Sequence, residues 1–131
     1  MTIFEILLIV GGIYHLAFGF FHIMFWRFRF LNWREELSHM SSINRAVIQM
    51  LNVAVIIFMI LVTYISLRYS QELPTTSLGR DILLGVSAFW LARLGGEFIL
   101  KDGIPAKPGI VIACTIGILL YLVPAIAYIN K

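Results

Sequence analysis

Four apolar runs, at about 3–26, 46–67, 78–100 and 108–129, constrain this chain more than any other feature. Each reaches the roughly 20 residues that an α-helix rising about 1.5 Å per residue needs to cross a bilayer core. None alternates polar and apolar residues as a half-buried strand would. Helix-starting and helix-stopping residues separate them: Ser41 and Ser42 before the second, Pro74 to Ser77 before the third, and Gly103, Pro105 and Pro108 before the fourth. The short links make sequential helices antiparallel neighbours.

Composition supports the same architecture. Hydrophobic residues fill 60% of the 131 positions and charged residues 13%, with a mean hydropathy of +0.93, too little charge to cover a soluble domain. The expected fold is all-α: a single integral membrane four-helix bundle over residues 1–131, with short connections and one interfacial amphipathic segment. Almost every residue belongs to a span or a link, which leaves no room for a separate globular catalytic domain. The N-terminal run carries Glu5, lacks a basic leader and is too long for a cleaved signal, so it reads as a retained first helix. Cys114 is the single cysteine, which excludes an internal disulfide.

The net charge of +3 sits at the ends of apolar runs, where it meets headgroups; membrane lipids are therefore the expected partners, and nucleic acid is not. Arg27, Arg29, Arg34, Arg45, Lys101 and Lys107 fall on one side, against Arg68, Arg80 and Lys131 on the other. This bias places both termini outside the cytoplasm, in a plasma or inner membrane. The first connection interleaves Arg27, Arg29 and Arg34 with Phe28, Phe30 and Trp33, which suits a short piece lying along the headgroups or an ordinary aromatic belt with topogenic arginines.

Polar residues inside lipid are costly, so the direction each one faces is informative. At about 100° per residue, Glu5, Gly11, Gly12, His15, Gly19, His22 and Trp26 share about a third of the first helix's circumference. Arg45, Gln49, Asn52 and Thr63 lie within about 60° of one another on the second helix. On the third, Arg93 and Glu97 stand one turn apart and Trp90 shares their face. Cys114, Gly117, Tyr121, Pro124 and Tyr128 line the fourth.

Depth joins these stripes, because the first and third connections lie on the same side of any four-span protein. His22, Gln49, Asn52, Arg93 and Glu97 fall about 5–10 Å inside their helix ends. The candidate site is a polar intramembrane pocket of His22, Arg45, Gln49, Asn52, Arg93 and Glu97, with His15 deeper and Trp90 and Tyr121 as secondary lining. Such a pocket suits an amphipathic ligand, its headgroup against the arginines; alternatively, the same groups satisfy one another and fix helix packing. His15 and His22 are about 10 Å apart along the helix, so they cannot share a metal ion, and no metal site is expected. No serine stands on a nucleophile elbow and Cys114 has no adjacent base.

The stretch Arg45-Ala-Val-Ile-Gln49-Met-Leu-Asn52, together with Ala92-Arg93-Leu94, resembles the membrane-associated eicosanoid and glutathione metabolism (MAPEG) proteins, a likeness that covers the topology of the whole chain. That family carries a glutamate where this chain has Asn52 and an asparagine where it has Gln49. The resemblance implies a trimer with glutathione as cofactor between subunits, its thiolate held by Arg45 or Arg93, and a glutathione-dependent transferase activity. The run from His15 to Trp26 also resembles the opening helix of small four-helix membrane families, which implies architecture alone. A non-catalytic interaction or assembly subunit is the third reading; whether the chain forms a homo-oligomer stays open.

Overall fold

A computed structural model describes residues 1–29, 31–100, 103 and 105–129, with side-chain surroundings in the last helix described as far as residue 127. Phe30, Lys101, Lys131 and the Tyr128 side chain, which entered the sequence reading, lie outside the described residues. Four long helices make up the chain: α1 (Ile3–Ile23), α3 (Ser42–Arg68), α4 (Ser77–Ile99) and α5 (Pro108–Ile129), with the single turn α2 (Trp33–Glu36) in the first connection. All four long helices are long and apolar enough to cross a membrane, and among the described residues there is no strand. The chain is an all-helical four-span bundle of an integral membrane protein.

The starts of three long helices follow from local chemistry. Thr2, Ser41 and Thr76 accept the backbone N–H groups of Glu5, Asn44 and Gly79, which would otherwise have no partner in the first turn. Ser41 therefore starts α3 at Ser42, a turn before the apolar run begins. Pro108 opens α5, where its missing N–H is not needed. At the other end of α1, a 3-10 turn over Met24–Trp26 tightens the helix. Asn32 then takes a left-handed conformation (φ 46°), which asparagine tolerates, and its amide donates to Glu35 Oε2 at 2.6 Å as α2 begins.

Helix α1 packs against α3 on one side and α5 on the other, and α5 against α4. Phe58 and Phe89, with ring centroids 4.4 Å apart, bring α3 to α4. The order around the bundle is thus α3, α1, α5, α4. Leu8, Met59, Val62, Leu83, Val86, Trp90, Cys114, Tyr121 and Ala125 form the buried centre.

Missing side chains set how closely the helices approach. A Cβ on Gly11 would stand 2.8 Å from Tyr121 Oη, and one on Gly117 would run into the Trp90 ring. Small residues let surfaces meet in lipid, where water supplies no hydrophobic drive between helices. Ile13, Phe20, Ile57, Leu91 and Ile112 remain exposed, forming an outer face that suits acyl chains.

Candidate functional site

Deepest in the bundle, one hydrogen-bonded knot takes a side chain from every long helix. His15 of α1 is fully buried; its Nε2 accepts the indole N–H of Trp90 on α4 at 3.1 Å. An indole nitrogen can only donate, so the imidazole hydrogen belongs on Nδ1. That nitrogen lies 2.9 Å from the Gly11 carbonyl and 3.2 Å from Tyr121 Oη on α5. Tyr121 Oη in turn lies 2.8 Å from Ser66 Oγ on α3. With Oη facing the Nδ1 hydrogen, the phenol hydrogen points to Ser66. Tyr14, which donates to the Ala113 carbonyl at 2.6 Å, and Thr63, shared between the carbonyls of Gly12 (3.1 Å) and Met59 (2.8 Å), add further ties between helices.

Nearer the basic connections, Asn52 clamps His22. Its Oδ1 lies 2.7 Å from His22 Nδ1 and its Nδ2 donates to the His22 carbonyl at 3.0 Å. Because the amide donates through Nδ2, Oδ1 must accept, which again puts the histidine hydrogen on Nδ1. The imidazole stacks on Phe25 at 4.5 Å.

Glu97 on α4 is 1% exposed; Oε1 accepts the Lys107 N–H at 3.0 Å, just ahead of α5, and Oε2 lies 3.3 Å from the Arg93 guanidinium. A carboxylate at the start of α5 also meets the positive end of that helix's dipole. Arg93 itself is 46% exposed.

Above this layer the first connection folds back over the head of α3 and borders an open cleft of about 430 Å³, lined by Trp26, Trp33, Arg34, Leu37, Ser38, Arg45 and Gln49. Buried Leu37 anchors the connection. Trp26 and Trp33 meet edge to face at 5.5 Å, and Phe25 supports Trp33 at 5.3 Å. Gln49 holds the wall in place: Oε1 accepts the Trp26 indole N–H at 3.1 Å and Nε2 donates to the Arg45 carbonyl at 3.2 Å. Among the described residues no hydrogen bond or ion pair engages the guanidinium of Arg34 or Arg45. A smaller space of about 60 Å³ at the opposite end is lined by Thr2, Phe4, Glu5, Gln71, Pro74, Thr75 and Ala127.

The residues singled out from sequence thus separate into three groups. Arg45 and Gln49 line the cleft. His22 with Asn52, and Arg93 with Glu97, face each other in pairs, while His15, Trp90 and Tyr121 form the deep knot. Trp33, Arg34, Leu37 and Ser38 complete the cleft, although periodicity on the long helices could not reach them. The alternation of arginines and aromatics in the first connection signalled Trp33 and Arg34; Leu37 and Ser38 carried no signal. Among the described residues no three His, Cys, Asp or Glu side chains converge to hold a metal ion. Comparison with protein-family models, with curated proteins and with solved structures found no match.

Proposed function

We propose that this four-span protein binds a lipid or other amphipathic small molecule, with the polar end in the cleft between the first connection and the head of α3. The single observation that carries this reading is the pair of guanidiniums, Arg34 and Arg45, unengaged by any carboxylate among the described residues, beside an aromatic wall in one open cleft. The basic connections mark the bundle end where headgroups lie, and the exposed apolar side chains of α1 and α3 offer a path for an acyl tail. A plasma or inner membrane, with both termini outside the cytoplasm, fits the distribution of basic residues. Binding is tested by mass spectrometry of small molecules that copurify with gently solubilised protein. An amphiphile retained by the parent and lost from the Arg34→Gln/Arg45→Gln variant supports the reading; its equal retention by both removes the cleft from the account.

A specific observation favours a different role for the deeper polar groups. His15, His22, Asn52 and Glu97 all bond to protein partners, as expected of side chains that fix helix packing. An interaction or assembly subunit would use them in the same way, and copurification with a stoichiometric protein partner identifies that role. For the glutathione-dependent transferase implied by the resemblance, the decisive assay is conjugate formation with an electrophile above the uncatalysed background.

A further inference from the structure

Resting on the cleft as the binding site, we infer that it selects an oxyanion headgroup carrying no cation of its own, in preference to a zwitterionic one. Several polar side chains that line the cleft already have partners. Gln49 already joins Trp26 to the Arg45 carbonyl. The Ser38 hydroxyl donates to the Glu35 carbonyl at 2.6 Å. What remains on the lining residues is the guanidiniums of Arg34 and Arg45, both exposed, and the indole N–H of Trp33, for which the described residues supply no hydrogen-bond partner. Guanidinium and indole groups donate and never accept. Their complement is a group that only accepts and carries negative charge, as phosphate and carboxylate do, and planar guanidiniums match such groups through paired N–H bonds.

The lining also disfavours an ammonium-bearing head. Among the described residues no carboxylate lines the cleft: Glu35 and Glu36 lie on α2 beside it, and Glu35 Oε2 is held by Asn32. The Trp26 and Trp33 rings offer faces that attract cations, but two guanidiniums in the same cleft repel a third positive charge. The oxyanion has two sources, a lipid headgroup or a free inorganic anion, and they share this chemistry.

The test uses the full chain in neutral detergent and measures tryptophan fluorescence against dihexanoyl phosphatidylglycerol, dihexanoyl phosphatidic acid, dihexanoyl phosphatidylcholine and inorganic phosphate. The two anionic lipids are expected to bind at least about tenfold more tightly than phosphatidylcholine, with affinity falling as salt rises. Arg34→Gln/Arg45→Gln should remove that preference and leave phosphatidylcholine within about twofold. Trp33→Phe, which keeps an aromatic ring against Phe25 and Trp26, should weaken only the anionic lipids, by about threefold to tenfold. The comparison on the parent protein needs no variant to fold. Equal affinity for anionic and zwitterionic lipids overturns the headgroup inference and leaves amphiphile binding standing, whereas no binding of any dihexanoyl lipid or phosphate overturns both. Phosphate binding as tightly as the anionic lipids upholds oxyanion selection and replaces the lipid with a free anion.

Discussion

Trp90 donates its indole N–H to His15 Nε2 at 3.1 Å, joining α4 to α1 across 75 positions of sequence. Trp90→Phe keeps a ring in place but leaves the buried Nε2 without its donor. Interhelical hydrogen bonds in membrane proteins average about 0.6 kcal/mol and reach about 1.7. A loss of about 1–2 kcal/mol is expected, since the smaller ring also loosens packing. Unfolding in mixed micelles measures it, and a cycle with His15→Leu should show coupling; strict additivity would mean the bond contributes nothing.

Two glycines should respond differently to alanine. Gly117→Ala drives a methyl group into the Trp90 ring, and overpacking of this kind costs about 1–3 kcal/mol. Gly85 is exposed and a Cβ there meets nothing within 4 Å, so Gly85→Ala should be neutral or stabilise α4 by up to about 1 kcal/mol. Thermal unfolding of the two variants side by side gives the signs.

Asn52→Leu breaks both bonds of the His22 clamp and should lower stability by about 1–2 kcal/mol. Neither residue lines the cleft, so amphiphile affinity should stay within about twofold. A stable variant that no longer binds would move the site from the cleft to the clamp.

Glu97→Leu removes the acceptor of the Lys107 N–H and the partner of Arg93, while Glu97→Gln keeps an oxygen for the amide. Hydrogen exchange at the start of α5 should quicken by about tenfold in the leucine variant and distinctly less in the glutamine variant. Equal rates in parent and leucine protein would show that Glu97 does not hold that helix end.

Helix number, extent and most starting points were legible from residues alone, because these are local properties. Span length follows from apolar run length, and Ser41 and Thr76 announce their helices through caps made within a few residues. The inward faces were legible in part: His15, Asn52, Trp90, Glu97 and Tyr121 are buried, whereas Trp26, Arg45 and Arg93 from the same stripes are exposed. A helical projection shows which way a side chain faces, but not which neighbour it meets there.

The partners were decided by tertiary structure. That His15 meets Trp90, Tyr121 and, through Tyr121, Ser66 depends on the order of helices around the bundle, set by where Gly11 and Gly117 admit bulky rings. That His22 and Asn52 turn to each other, while Arg45 and Gln49 wall a cleft, depends on the first connection folding back to bring Trp33 and Arg34 over α3. Such a path has no period to read, since contacts between distant segments set it. Local patterns therefore determined which helix faces carry the polar residues, and three-dimensional packing decided which of those residues are buried, which bond to one another and which surround an open space.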